Sequence, residues 1–213
     1  AQPDGRPVVE LDPAWSGSSR LMQTRDLAFL HVAYATLLRI SELARLRVRD
    51  VTRASDGRII LDVAWTKTIV QTGGLIKALG ELSTMRLTEW LTQSGLISQP
   101  DAYIFGPVHR SNQAVISTVN PLSTRAIEDI FGRAWREAGS QGAVKANKGR
   151  YRGWTGHSTR VGAAVDMAMK KYSTAQSMQE GTWKKTGTVM RSSRPVDAHA
   201  AAMVDFMDNH LSG

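Results

Sequence analysis

The sequence contains no cysteine, and this absence removes several kinds of chemistry at once. Disulfide bonds, thiolate metal sites and cysteine nucleophiles are all excluded. Long hydrophobic runs are also missing, because no stretch of about eighteen apolar residues is present to span a bilayer. The first residues lack the basic and then apolar pattern of a signal peptide. We therefore expect a soluble, cytoplasmic protein with no membrane partner.

Acidic residues are scarce relative to basic ones. The chain has 27 Lys and Arg against 19 Asp and Glu, which gives a formal net charge of +8. This balance favours a polyanionic partner, and nucleic acid is the first candidate, although a basic protein with no such partner has the same charge. With 213 residues, of which 42% are hydrophobic and 22% charged, the chain has the size and composition of one soluble globular domain.

The chain begins with Ala rather than Met, and its first residues are rich in Pro, Gly, Ser and Asp. This composition is typical of a linker, so we expect residues 1–20 to be a linker from a missing N-terminal domain. The main domain is then expected over residues 21–196. Residues 197–213 are predicted to form a C-terminal amphipathic helix.

Hydrophobic spacing and capping residues predict a mainly α-helical domain with one small antiparallel β-sheet or hairpin. The strands are expected in Arg58–Trp65 and Thr68–Val70, as a small hairpin or a three-stranded sheet, with Lys67 at the turn. A loop is expected from Gly139 to Gly153. In the first half of the chain, helices are predicted over Thr24 to Leu38 with Tyr34 facing inward, in a short segment capped by Ser41, and over Leu82 to Gly95. Further along, one helix is predicted to open at Pro121 to Ser123, and another covers the region from His157 to Lys171. The last two predicted helices are a segment capped by Ser173 and closed by Gly181, and Asp197 to His210.

Several basic residues recur with the spacing of one helix turn. His157 and Arg160 are three residues apart, as are Arg39 and Glu42, and neighbours at this spacing share one side of a helix. Two arginines, a histidine and the basic Lys67 are suited to neutralising a phosphate that gains charge during substitution. Each residue alone also has an ordinary structural interpretation, such as a helix cap, a helix-end cation or a core tryptophan.

Four ordered blocks give these residues a context: Ala35–Arg45, Trp65–Thr68, Trp154–Ala164 and Gln179–Lys185. In order, they resemble an arginine box, a β-hairpin lysine, an extended His-x-x-Arg box and a segment with a tryptophan. With these blocks the chain resembles the tyrosine recombinase (phage integrase) family, and within it the Cre-like subgroup. A lone His-x-x-Arg is weak evidence, but four blocks in order and with matching spacers are specific.

The resemblance implies the tyrosine recombinase catalytic-domain fold and a DNA transesterification through a 3′-phosphotyrosyl intermediate. The implied partners are double-stranded DNA with an inverted-repeat recombination site and three further protomers in a homotetramer on that DNA. No cofactor and no metal are implied. The resemblance also implies that the missing N-terminal domain before the linker of residues 1–20 binds DNA. It implies that the helix over residues 197–213 docks on a neighbouring protomer, with packing on its own domain as the alternative. The implied roles are phosphate clamping by Arg39 and Arg160, proton transfer by His157, N–H donation by Trp183, general acid chemistry by Lys67 and orientation of Arg39 or His157 by Glu42.

One position departs from the family pattern. The nucleophilic tyrosine is expected nine residues after Trp183, where this chain has Ser192. All four tyrosines of the chain precede Trp183. We therefore expect a chain that binds DNA but cleaves it poorly, with Ser192 or Ser193 as a different nucleophile left open. The alternative is a non-catalytic DNA-binding regulator derived from a recombinase, whereas a generic RNA-binding module lacks motif support.

Two regions are predicted to contact DNA. Arg125, at the start of a helix that resembles the major-groove helix of the family, is expected to read a guanine, although a solvated arginine is an equal alternative. A basic loop is expected to bind backbone phosphates. Its candidate residues are Lys145, Lys148, Arg150 and Arg152.

Overall fold

The computed structural model describes residues 19–64, 74–140 and 153–183. The chain divides into two compact units, Ala1–Ser158 and Thr159–Gly213. The described residues form several helices and one three-stranded antiparallel sheet, which confirms the predicted fold class. No helix in this part of the chain is long and apolar enough to cross a membrane.

Among the described residues, the first unit contains four complete α-helices and three strands. A fifth helix runs from the last residue of this unit into the second unit, which also holds the sixth. The elements are α1 Arg20–Thr36, α2 Ile40–Leu43, β1 Val51–Arg53, β2 Ile59–Val63, β3 Leu75–Ala78, α3 Glu81–Gln93, α4 Thr124–Ser140, α5 Ser158–Met169 and α6 Thr174–Gly181.

Helix α1 begins and ends earlier than the sequence pattern predicts. Ser19 caps it by accepting a hydrogen bond from the Met22 N–H. It ends at Thr36, because Leu37 has a left-handed backbone with φ of 54° and donates its N–H to the Ala33 carbonyl. The expected helical stretch to Leu38 is therefore wrong by two residues. Tyr34 is 43% exposed, so its predicted place on the inward stripe is also wrong.

Helix α2 is capped by Arg39 and not by Ser41 as predicted. The backbone N–H of Arg39 donates to Glu42 Oε2 at 2.9 Å. A carboxylate at the third helical position that reaches back to the cap satisfies a backbone donor that the helix itself cannot use. The catalytic candidate Arg39 therefore lies at the start of the helix, and Leu43 turns into the core.

The sheet has the order β1-β2-β3, with both neighbouring pairs antiparallel. In the central strand β2, Ile59, Leu61 and Val63 are buried while Asp62 is exposed, as the period of two in a strand requires. A three-stranded sheet was one of the two predicted alternatives, but β2 is shorter than the predicted Arg58–Trp65 segment and the positions of β1 and β3 were not predicted. The expected strand Thr68–Val70 lies outside the described residues.

The core of the first unit is built on aromatic side chains from α1, α3, α4 and the segment after α3. Phe29 meets Phe105 and Phe131 edge to face, with ring centroids 5.0 and 6.2 Å apart. Trp90 is fully buried, and its indole N–H donates to the Ile104 carbonyl at 2.7 Å. The buried indole thus gains a hydrogen-bond partner, as the cost of burying a polar group demands.

Helix α3 packs against α1 and ends as predicted. Gly95 follows it with a left-handed backbone, φ 72°, which glycine adopts without strain. Two apolar residues on its first turns, Leu82 and Met85, face solvent. At the contact between α1 and α3, burial and then the positive charge of Arg86 lower the pKa of His31 below its ordinary value.

Helix α4 begins where the sequence predicts. The Ser123 hydroxyl accepts a hydrogen bond from the Ala126 N–H at 3.2 Å. The predicted inward stripe is buried at Ile127, Ile130, Phe131 and Ala134, and Trp135 is partly buried. The helix continues to Ser140, so the loop predicted from Gly139 starts two residues too early.

In the second unit, the predicted capping box opens α6. The Ser173 hydroxyl accepts from the Gln176 N–H, and the Gln176 side chain accepts from the Ser173 N–H. Gly181 was expected to close this helix, but it is the last helical residue. The left-handed position falls instead on Thr182, φ 51°. The predicted helix from Asp197 and most of the predicted linker lie outside the described residues.

Candidate active site

Arg39 and Glu42 form one rigid pair at the start of α2. Arg39 Nη1 donates to Glu42 Oε1 at 2.9 Å, while the other oxygen of the same carboxylate holds the Arg39 backbone N–H. The Glu42 side chain is 2% exposed and that of Arg39 is 39% exposed. The buried carboxylate therefore orients the guanidinium, while more than a third of the Arg39 side chain stays exposed, as binding of an anion from solvent requires.

His157 stands in a tight turn immediately before α5. The Thr155 N–H donates to the Ser158 hydroxyl at 2.9 Å, and the Ser158 N–H donates to the Thr155 carbonyl at 2.8 Å. The His157 N–H lies 3.3 Å from the Thr155 hydroxyl. These bonds satisfy the backbone of the turn, so the imidazole of His157 is presented on the surface by a fixed support.

The arginine and histidine boxes meet through the residues next to Arg39 and His157. Buried Gly156 lies directly against the side chain of Ile40, and its N–H donates to Glu128 Oε1 on α4 at 3.2 Å. Three elements of the first unit therefore converge here: α2, α4 and the turn before α5. The structure thus brings together the segments that carry Arg39, Glu42 and His157.

In the second unit, Arg160 and Trp183 are in direct contact. The Arg160 guanidinium carbon lies 5.0 Å from the centroid of the Trp183 ring, and Arg160 Nη2 donates to the Gly181 carbonyl at 2.7 Å. Arg160 is 4% exposed. A side chain at Gly181 would overlap the Trp183 ring, so only glycine lets the indole lie over the end of α6. This packing ties α5 to α6 through two predicted site residues.

The remaining predicted site residues divide between the surface of α4 and the undescribed segments. Arg125 has an 88% exposed side chain, and its Nε lies 3.3 Å from Asp129 Oδ1. The other six lie outside the described residues. They are Lys67, Lys145, Lys148, Arg150, Arg152 and Ser192.

Four residues shape the site although no role in it was predicted for them. Gly156 and Gly181 each stand next to, or two positions from, a predicted site residue, and a glycine in that position signals a close approach of other atoms. Ile40 and Glu128 carry no comparable signal. Their contribution comes from contacts across the fold, which spacing along the chain does not show.

Two solved structures share this architecture. The XerA recombinase superposes with a TM-score of 0.60 at 19% identity, covering 94% of this chain and 66% of the other. The XerH site-specific recombinase bound to its palindromic difH substrate, in a post-cleavage complex, gives 0.58 at 14% identity, covering 88% and 48%. At this identity the likeness is one of fold, and the fold is that of a tyrosine recombinase catalytic domain.

The sequence itself places the chain within that class. The phage integrase family matches residues 17–196. The Cre recombinase of Escherichia phage P1 is 41% identical over 192 residues, which are 90% of this chain and 55% of that protein. The chain therefore belongs to the phage integrase family and is Cre-like, and it spans about half the length of this relative. A still closer relation to the recombinase Dre, which the sequence blocks also suggest, stays a prediction.

Proposed function

We propose that this chain is the catalytic domain of a site-specific DNA recombinase that binds the scissile phosphate but cleaves it poorly. The observation that carries the proposal is the Arg39 guanidinium, which a buried carboxylate holds in place while more than a third of its side chain stays exposed. A fixed, partly open arginine fork is suited to the non-bridging oxygens of a phosphate. Membership of the phage integrase family supplies the reaction class.

In the proposed reaction, the hydroxyl at position 192 gives up its proton, with His157 sharing in that transfer, and its oxygen attacks the phosphorus to form a 3′-phospho-ester link. The bond to the 5′-oxygen breaks, and that oxygen takes a proton from Lys67. Arg39 and Arg160 would each bind a non-bridging oxygen, His157 would share the proton transfer, and the Trp183 indole would donate its N–H to the phosphate. Glu42 would hold Arg39, which its two hydrogen bonds to that residue support.

Ser192 weakens this reaction for two physical reasons. A tyrosine hydroxyl titrates near pH 10, whereas the pKa of an alkyl alcohol lies well above that and closer to that of water, so serine is the poorer nucleophile and leaving group. Because the serine side chain is shorter, its oxygen also lies several ångströms nearer the backbone than a tyrosine oxygen would. The chain would therefore hold DNA in a state that precedes cleavage.

The experiment is to substitute Ser192→Tyr and incubate each chain with a nicked duplex that traps covalent adducts. We expect the tyrosine variant to form a protein–DNA adduct that resists denaturation, at a rate at least about a hundred times that of the unchanged chain, since general acid–base and nucleophilic groups contribute on this scale. A denaturing gel measures the adduct. In a nicked duplex, cleavage releases a short fragment that diffuses away. Religation is then prevented, and the covalent adduct is trapped.

Ser193→Tyr is the matched control, because it places the same side chain one position further along. It should form little adduct if the nucleophile belongs at position 192. An adduct formed by the unchanged chain would contradict the loss of cleavage, and no adduct from Ser192→Tyr would contradict the recombinase proposal.

The second candidate is a DNA-binding regulator derived from a recombinase. The presence of Ser192 favours it, because a regulator has no use for a nucleophile. Against it, Arg39, Lys67, His157, Arg160 and Trp183 are all retained. The two candidates differ in outcome: a regulator whose site has decayed would gain no cleavage from Ser192→Tyr, although it would still bind its DNA.

We also propose double-stranded DNA with an inverted-repeat site as the partner, with four protomers assembled on it. The net charge of +8 supports a polyanion. The XerH structure is a complex with its palindromic difH substrate, which is consistent with this kind of partner. The proposal also includes a missing N-terminal DNA-binding domain, to which residues 1–20 are the linker, and a helix over residues 197–213 that docks on a neighbouring protomer. The expected location is the cytoplasm, in association with DNA.

A further inference from the structure

We propose that Gly156 and Glu128 are positioning residues that set the distance between Arg39 and His157. This inference rests on the proposed function, because it concerns the same phosphate site. The contact between Gly156 and Ile40 joins the arginine box to the histidine box, and Glu128 on α4 holds the Gly156 backbone in that contact.

The contact leaves no room for a side chain. A Cβ atom at Gly156 would lie 2.5 Å from Ile40 Cγ2 and 2.7 Å from Ile40 Cδ1, whereas carbon atoms in good contact are about 3.5–4.0 Å apart. Ile40 is β-branched and stands in the first turn of α2, so its Cγ2 cannot swing away cheaply. Relief therefore requires the backbone of residues 156 and 157 to move away from α2.

Such a movement acts directly on the two catalytic candidates. Ile40 is bonded to Arg39, and Gly156 is bonded to His157. Arg39 cannot follow the histidine turn, because the buried Glu42 carboxylate holds both its backbone N–H and its guanidinium. A shift of even about 1 Å between groups that act on one phosphate lowers their joint effect strongly.

Glu128 provides the second restraint. Its Oε1 accepts the Gly156 N–H at 3.2 Å and lies 3.2 Å from the position that a Cβ would occupy. Gly156 is buried, so its N–H needs this acceptor. Helix α4 also carries Arg125, one turn before Glu128. The helix proposed to read DNA bases is therefore hydrogen-bonded to the turn that presents His157.

The experiment measures phosphate engagement without requiring cleavage. A duplex selected by the unchanged chain from random DNA is prepared with a neutral methylphosphonate at each phosphate in turn. At the phosphate where substitution weakens binding most, we take the ratio of the affinity for the normal duplex to that for the substituted duplex. This affinity ratio measures how strongly the charged site binds that phosphate. The variants are Gly156→Ala, Ile40→Ala, the two combined, Glu128→Ala and Glu128→Gln. Gly132→Ala is the glycine control, because a Cβ added there meets no atom nearer than 3.6 Å.

We expect Gly156→Ala to lower this ratio by about tenfold, as a small misplacement of positioned groups does. Removing the Ile40 side chain in the double variant should restore most of the affinity ratio, which general destabilisation would not allow. Glu128→Ala should also lower the ratio, whereas Glu128→Gln keeps an acceptor oxygen and should retain it. Gly132→Ala should leave the ratio unchanged.

An unchanged ratio in Gly156→Ala, or no recovery in the double variant, overturns the steric restraint. Should Gly156→Ala fail to fold, the two Glu128 variants test the inference. Equal affinity ratios for Glu128→Ala and Glu128→Gln would count against it. If Ser192→Tyr forms no adduct while the unchanged chain shows a phosphate-dependent ratio, the proposed function fails and the ratios still decide this inference. A chain that selects no duplex overturns both.

Discussion

At Asp26, one buried carboxylate is shared by two arginines. Its Oδ1 accepts from Arg25 Nε at 2.9 Å and from Arg25 Nη2 at 2.6 Å, and its Oδ2 accepts from Arg133 Nε at 2.7 Å. Arg25 Nη1 also donates to the Gly106 carbonyl at 3.2 Å. Asp26 is fully buried, so this cluster links α1 to α4 and to the segment after α3 inside the protein.

Replacing Asp26 should therefore be costly. Asp26→Ala leaves Arg25 buried without its anion, and breaking a buried pair in this way costs about 3–5 kcal/mol. The free energy of unfolding from urea titration measures the destabilisation. Asp101→Ala is the control, because its pair with Arg49 is exposed on both sides and such pairs contribute about 0–1 kcal/mol. Equal destabilisation in the two variants would contradict a special role for the buried cluster.

Arg125 is the residue expected to read a base. Its ion-pair partner, Asp129, is half exposed, and an exposed pair at this helical spacing is weak enough to yield to a guanine. Arg125→Ala should cost about 1–3 kcal/mol on the preferred site and relax the preference at one base position. Binding to a library of single-base site variants measures this.

Arg110→Ala removes the same charge from an exposed loop position and serves as the control. It should weaken binding to all site variants alike, if it weakens binding at all. A preference profile that is the same for Arg125→Ala and the unchanged chain would refute the reading role.

At the level of the elements, helix α5 ends in a Schellman motif that the sequence does not indicate. The Tyr172 N–H donates to the Met167 carbonyl at 3.0 Å, and the Lys171 N–H donates to the Ala168 carbonyl at 2.9 Å. The motif requires a left-handed residue, usually glycine, and here Lys171 takes it with φ of 62°. Lys171 is exposed, so packing of its side chain does not explain why a lysine adopts the left-handed conformation here.

Lys171→Gly should stabilise the fold relative to Lys171→Ala by about 1–2 kcal/mol, the cost of a Cβ in the left-handed region. The alanine variant is the matched control, because it removes the same charge near the helix end while keeping the Cβ. Thermal unfolding of the two variants measures the difference. If alanine proves as stable as glycine, the left-handed strain at this position is negligible.

Element boundaries show where sequence patterns succeed. The start of α4 at Thr124 and the capping box of α6 follow from side chains that bond to the neighbouring backbone, and these were predicted correctly. The end of α1 was not, because Leu37 adopts the left-handed conformation although leucine has no preference for it. Burial of Leu37 and Leu38 in the core decides that bend, and burial is a property of the folded chain.

At the scale of the whole molecule, the excess of basic residues should govern the proposed association with DNA. Each phosphate neutralised by a Lys or Arg releases counterions, so the logarithm of the binding constant should fall with the logarithm of salt concentration by about 0.9 per neutralised phosphate. With a net charge of +8, the chain should bind DNA weakly at high salt and tightly at low salt.

Replacing Lys145, Lys148, Arg150 and Arg152 together by Gln should make this slope shallower, by about 0.9 for each phosphate that the variant no longer neutralises. Fluorescence anisotropy over a series of salt concentrations measures the slope. Arg49 and Arg58 already pair with Asp101 and Asp56, so replacing these two by Gln should change the slope much less. A slope that does not respond to the fourfold variant would show that the segment does not bind phosphates.

The family, the mainly helical class and the residue types available for phosphate chemistry could all be predicted from the order of residues along the chain. These follow from local order: the spacing of Arg39 and Glu42, the His-x-x-Arg box and the absence of tyrosine after Trp183 can all be read along the chain. The tertiary structure decided what holds those residues. Glu42 binds Arg39, and Gly156 packs on Ile40 and bonds to Glu128, because contacts between distant segments depend on how α2, α4 and the histidine turn pack together.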